Sequence, residues 1–198
     1  MRGFWCYRRG VNAHPLPNVG RPLTGFPELA ERATELLRTP GALFNLTLAE
    51  AVCIVAQMGL VQFGAGVTLF REGEDQRLDH LLLLLDGEVS VDTGADASRT
   101  GVAISILGPG SVIGEMALLD GAPRSASCTT VSPVRAAGLV RAGLERLIEN
   151  EPRAAAKLLV GLGAHTAERL RALVEQLQMY AALAQSQQRE IARLRRGL

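Results

Sequence analysis

Apolar residues recur along one side of the stretch Pro27–Arg38, at Leu29, Ala33, Leu36 and Leu37, which is a helical period. Pro40 and Gly41 follow and stop that helix. Thr47-Leu48-Ala49-Glu50 has the form of a capping box, so a second helix starts at Thr47 and runs to about Met58. From Val61 the pattern changes. Short apolar or alternating runs at 61–63, 67–70, 81–85, 88–91, 102–107, 127–131 and 135–139 are strand-like. Gly64, Gly66, Gly73, Gly87, Gly94, Gly108 and Gly110 punctuate them. Short strands with turn signals between them predict an antiparallel sandwich or barrel. Asp86-Gly87, set between two apolar runs, predicts a hairpin.

The pattern turns helical again at 142–150, with Leu144, Leu147 and Ile148 as packing anchors. Pro152 suits the first turn of a further helix, where its missing N–H costs nothing. Apart from Gly161 and Gly163, no breaker appears before Gly197. A helix of about 45 residues is roughly 65 Å long at 1.5 Å per residue, longer than a domain of this size. Alternating steps of four and three pick out Thr166, Leu170, Leu173, Leu177, Tyr180, Ala184, Gln187, Ile191, Leu194 and Leu198. All but two of these are apolar or aromatic, a coiled-coil seam over about four heptads. The alternative is an amphipathic helix packed on its own domain. The predicted organisation is a flexible basic tail over 1–23, a mainly β domain with N-terminal helices over 24–150, and a dimerisation helix over 151–198.

Composition narrows the partners. The 198 residues are 47% hydrophobic and 21% charged, as expected of a soluble globular protein. A net charge of +1 supplies no overall field for nucleic acid. Arg2, Arg8, Arg9 and Arg21 do make the first residues basic, and with Phe4, Trp5 and Tyr7 they offer an alternative contact site for nucleic acid or membrane. Cys6, Cys53 and Cys128 have no spacing for zinc, an iron–sulfur cluster or a disulfide framework. A reducing, cytoplasmic setting is therefore expected. His14, His80 and His165 are too dispersed to ligate a metal together. No apolar run reaches the length of a membrane span, and no signal-peptide core is present.

Candidate chemistry concentrates at 114–126, GEMALLDGAPRSA. Glu115 and Arg124 bracket one short helical turn, with strand-like sequence on either side. The turn presents N–H groups and partial positive charge to an anion. Arg124 can grip phosphate oxygens with its planar fork. Glu115 accepts hydrogen bonds, so it takes a hydroxyl and repels a phosphate. Gly108, Gly110 and Gly114 do not make a dinucleotide-binding fingerprint. Their spacing is one residue too long, and no βαβ unit surrounds them.

Gly114-Glu115, Ala117 and Pro123-Arg124-Ser125-Ala126, in that order, resemble the phosphate-binding cassette of the cyclic nucleotide-binding domain family. Phe63-Gly64-Ala65-Gly66 with Leu69-Phe70-Arg71-Glu72-Gly73 resembles the family's opening strands, and Asp86-Gly87-Glu88-Val89 its glycine hairpin. The similarity runs over about 80 residues, 63–144. It implies an antiparallel β-roll, or jelly roll, followed by a long C-terminal helix that forms a parallel homodimer. It implies a cyclic nucleotide, cAMP or cGMP, as the ligand, with no other cofactor. Gly114, Glu115, Met116, Ala117, Arg124, Ser125 and Ala126 would line its site. Arg124, Ser125 and the N–H groups after Glu115 would hold the phosphate. Glu115 would take the ribose 2′-hydroxyl, and Gly114 would let the backbone approach the sugar. The base would lie toward the helix that begins at Pro152.

Two departures from the family matter. In the register of the bacterial cyclic AMP receptor, the hydroxyl pair that reads adenine falls on Arg169 and Leu170. Arg169 could stack on or bond either purine, or face solvent. The sequence also ends at Leu198 with no winged helix-turn-helix after the long helix, which disfavours DNA binding. No general base, nucleophile or metal cluster accompanies the cassette, so binding rather than catalysis is expected. The leading reading is a dimeric cyclic nucleotide sensor that relays ligand state to an unknown effector protein. The alternatives are a truncated transcriptional regulator and a β-roll interaction module that binds no nucleotide.

Overall fold

Thr47 and Glu50 close the expected capping box. The Thr47 hydroxyl accepts from the Glu50 N–H at 3.3 Å, and the Glu50 carboxylate accepts from the Thr47 N–H at 2.8 Å. This computed structural model of the chain describes residues 21–39, 45–76, 78–92 and 103–196. The expected stop at Pro40 and Gly41, residues 1–20 of the expected tail and the seam position Leu198 lie outside them. The tail's expected boundary moves inward, because Leu23 is fully buried and its N–H donates to the Met58 carbonyl at 2.9 Å.

Helix α1 (Pro27–Arg38) begins with proline at its first position, as the pattern predicts. Helix α2 (Leu48–Val55) is shorter than expected. Tight turns carry Gln57 and Met58 back to the carbonyls of Ile54 and Val55, and the chain then enters β1. Among the described residues eight strands follow: β1 (Gly59–Phe63), β2 (Thr68–Phe70), β3 (His80–Asp86), β4 (Val89–Asp92), β5 (Ala103–Leu107), β6 (Val112–Ile113), β7 (Ser127–Thr130) and β8 (Val134–Val140). Helix α3 (Glu115–Asp120) lies between β6 and β7, and α4 (Arg141–Asn150) and α5 (Pro152–Arg196) come last. The two-residue β6 was not foreseen. It is too short to carry a period and is held by pairing of Ile113 with Leu82 and Val112 with Leu83.

The strands form two antiparallel sheets, ordered β1-β8-β3-β6 and β2-β7-β4-β5. This is the β-roll, with the long helix following it. Strand β3 explains its own leucine run. Leu82 and Leu84 pack between the sheets with Val61, Phe70, Val91 and Cys128. Leu81, Leu83 and Leu85 point the other way, into a second core with Leu37, Ile54, Leu144, Leu147 and Leu158. A strand covered on both faces has no reason to alternate.

Asp86-Gly87 does not make the expected hairpin. Strands β3 and β4 belong to different sheets, and the chain crosses from one to the other there. Asp86 pairs back to Arg135 in β8, while the Glu88 N–H donates to Ser132 at 3.0 Å and the Glu88 carbonyl accepts from Val131 at 2.8 Å. Gly87 has φ +83°, and a Cβ there would overlap the Pro133 carbonyl oxygen. The dipeptide specifies the left-handed backbone. Which strand lies alongside is set by the packing of the two sheets.

Helix α4 buries Gly143, Leu144 and Leu147, but Ile148 is half-exposed rather than an anchor. The first turns of α5 belong to the domain, because Ala154, Ala155, Leu158 and Leu162 are buried in the helix-facing core. Lys157 and Arg153 also reach Glu50 on α2, at 2.6 and 3.4 Å. From Leu170 onward the described side chains of α5 are all exposed.

Candidate functional site

Strand β6 delivers the chain to Gly114, which takes φ +78° and starts α3. Side chains other than glycine rarely adopt that backbone conformation. Gly121 ends the helix, and the Asp120 carboxylate accepts from the Ala122 N–H at 2.9 Å. Asp120 and Gly121 thus close α3 in a tight turn. The chain then returns past the turn after β2, where the Arg124 N–H donates to Glu74 O at 2.9 Å and its carbonyl accepts from Gly73 N–H at 2.8 Å. These bonds fix where the Arg124 side chain begins.

Arg124 is buried, with 4% of its surface exposed. Its Nη1 donates to the Gly114 carbonyl at 2.8 Å, and both Nη atoms reach the His80 carbonyl at 3.3 Å. The guanidinium carbon stands 3.9 Å from the centre of the Phe70 ring. Burial lowers the pKa of this guanidinium, opposed by the negative charge of Glu74. An arginine remains cationic under such a shift at neutral pH.

Glu115, at the first turn of α3, is 2% exposed. Arg169 reaches it from α5, with Nη1 3.4 Å from Oε1. The sequence left Arg169 to meet a purine or to face solvent; in the structure its side chain meets Glu115 and stays 40% exposed. Ser125 Oγ lies 3.5 Å from Met116 Sδ, so the two ends of the cassette touch. One cleft is lined by all eight expected residues: Gly114, Glu115, Met116, Ala117, Arg124, Ser125, Ala126 and Arg169.

Phe70, Val91, Ile113 and Cys128 complete the lining and were missed from sequence. They project inward from β2, β4, β6 and β7. Strand alternation marks Val91 and Cys128 as inward positions, but gives no hint that the interior there is open. Burial raises the Cys128 thiol to about 11, with Arg169 the main opposing influence. It is therefore a neutral wall of the cleft at physiological pH.

The cavity volume is about 30 Å³, room for roughly two waters. A larger guest requires a wall to move. Arg169, 40% exposed at its side chain, Met116, 37% exposed, and the exposed Ser125 are wall residues with freedom to do so. The cleft combines a buried cation, a buried carboxylate and an apolar lining, a set that matches an anionic, hydroxylated, partly apolar ligand.

The family profile of the cyclic nucleotide-binding domain matches residues 60–151. The chain is 31% identical over 125 residues to the CRP-like cAMP-activated global transcriptional regulator of Mycobacterium tuberculosis, covering 63% of this chain and 54% of that protein. It thus spans about half the length of that curated relative. A cyclic nucleotide-binding domain from Methylobacillus flagellatus superposes with TM-score 0.64 and 30% identity, over 73% of this chain and 80% of that one. The Thermus thermophilus catabolite activator protein gives TM-score 0.60 and 28% identity, over 71% and 63%. Among the described residues no helix is long and apolar enough to cross a membrane. The two sheets, the glycine-started α3 and these similarities agree: the chain belongs to the cyclic nucleotide-binding domain family.

Proposed function

We propose that the chain is a non-catalytic cyclic nucleotide sensor acting in the cytoplasm. Arg124, Ser125 and the N–H groups after Glu115 hold the cyclic phosphate. Glu115 accepts the ribose 2′-hydroxyl, Gly114 leaves room for the sugar, and the base lies toward α5. The observation that carries this reading is the convergence of Arg124 and Glu115 on one cleft closed by Arg169. Entry of the ligand shifts Arg169, and with it α5, toward whichever arrangement binds more tightly. That movement relays occupancy to a homodimer partner and to an effector protein. The M. tuberculosis relative, named as cAMP-activated, supports cyclic AMP as the first ligand to try.

The narrow cavity, with Glu115 already paired, also favours a second reading, an interaction module that takes no nucleotide. Calorimetric titration with cyclic AMP and cyclic GMP separates the two. Saturable heat with either supports the sensor. No heat with both at millimolar concentration sinks it and leaves the second reading.

A further inference from the structure

Phe70 lies at the end of β2, 3% exposed, with its ring flat enough under Arg124 to bring the guanidinium carbon to 3.9 Å from the ring centre. His80, at the start of β3 and 5% exposed, tilts its ring against that of Phe70, with centroids 5.4 Å apart at 46°. The backbone carbonyl of the same histidine accepts from both Nη atoms of Arg124. Gly114 lies close against both groups. A Cβ there would come within 2.7 Å of Arg124 Nη1 and 2.9 Å of Phe70 Cζ. The guanidinium is thus held on one face by a ring and along its edge by two carbonyls, one at the start of β3 and one at the N-cap of α3.

We propose that Phe70, backed by His80, is the positioning residue for the anion-gripping fork of Arg124. This rests on the function proposed above and deepens it, because neither ring belongs to the cassette 114–126. Arginine carries about 2 kcal/mol of rotamer entropy, and a fork fixed before the ligand arrives loses less per bond formed. The face of an aromatic ring attracts a cation most when water is excluded, as it is here. A leucine would fill much the same core space and provide no such face.

The test separates packing from positioning. In Phe70→Leu, and in a chain carrying trifluorophenylalanine at position 70, the ring's attraction for a cation is removed; the second keeps the shape. The Arg124 Nε–H resonance of the ligand-free protein, assigned with Arg124→Lys, should broaden or move in both variants while the backbone spectrum stays folded. Affinity for cyclic AMP should fall roughly tenfold in both, and Phe70→Leu should add nothing in an Arg124→Ala background. An unchanged Arg124 resonance, or wild-type affinity in the fluorinated chain, overturns the proposal. If the wild type binds no cyclic nucleotide and the resonance still depends on position 70, the positioning stands and the assigned ligand falls.

Discussion

Arg169 and Glu115, 54 positions apart in sequence, meet with Nη1 3.4 Å from Oε1. The contact ties the long helix to the first turn of α3. Its two ends differ in environment, the carboxylate at 2% exposure and the guanidinium at 40%. Solvent at the arginine end screens the attraction, so the pair adds little to global stability. Arg169→Gln should lower the ligand-free stability by less than about 1 kcal/mol. Locally the effect should be larger, since Arg169 forms one wall of the cleft. Hydrogen exchange of α5 amides around 166–172 should quicken in the variant. Unaltered exchange there would mean that the contact does not anchor the helix.

Arg124 is the buried cation of the cleft, and in the proposed function its loss would leave the phosphate without its main counter-charge. Arg124→Ala should weaken cyclic nucleotide binding by about 2 kcal/mol or more, roughly thirtyfold. Glu115→Ala should weaken it too, but only for ligands with a 2′-hydroxyl; a 2′-deoxy cyclic nucleotide should bind wild type and variant alike. Calorimetry reads both. Equal losses for the two ligands would remove Glu115 from the sugar.

Gly87 holds the crossing between the two sheets. At φ +83° an alanine is strained, and its methyl would also overlap Pro133 and lie 2.9 Å from Val134 Cγ2. Backbone strain and overpacking together should make Gly87→Ala about 2–4 kcal/mol less stable. A lower urea midpoint with an unchanged slope would show that effect, whereas a wild-type midpoint would show that the crossing yields easily.

That crossing also marks the limit of what the sequence could disclose. The left-handed glycine was legible, because its chemistry is local. Its role in changing sheets was not, because strand partners depend on residues far along the chain, here Arg135 and Ser132. The same division runs through the site. The cassette 114–126 reads directly, since Gly114, Glu115 and Arg124 sit on one short segment. Phe70 and His80 are invisible as site residues, because only the folding of β2 and β3 brings their rings to Arg124. The end of α2 was misplaced because Ala56 and Gln57 are good helix residues that tertiary context turns toward β1. Ile148 fits the period of α4, yet the core ends before reaching it.

At the root of α5, Glu50 receives hydrogen bonds from Lys157 and from the Thr47 backbone, and these hold its carboxyl at about 2 instead of 4.5. A carboxyl depressed in the folded state binds its proton more weakly there than when unfolded. Its contribution is therefore complete above about pH 4.5 and is lost as the pH falls toward 2. Glu50→Gln should remove that part of the acid sensitivity, so that variant and wild type converge in stability near pH 2 and separate above pH 4.5. Thermal melts across this range check it, and parallel curves would show that Glu50 is not the titrating group.

The exposed length of α5 argues for a second copy of the chain. Leu170, Leu173, Leu177, Tyr180 and Ile191 stand 47–67% exposed, although the first turns of the same helix are buried against α2 and α4. Steps of three and four from Leu170 to Tyr180, and of eleven to Ile191, keep them on one stripe, and a helix with the same stripe alongside would cover it. An apolar stripe of that length left in water would be an aggregation hazard. In a parallel pair each residue faces its own counterpart, so a charge introduced once appears twice at the same level and repels. The intact chain should therefore run as a dimer in light scattering. Truncation after Leu170 should give a monomer, and Leu173→Glu with Leu177→Glu should do the same while cyclic nucleotide binding persists. A monomeric mass for the intact chain would remove the seam from the argument and leave the exposed face of α5 to some other protein.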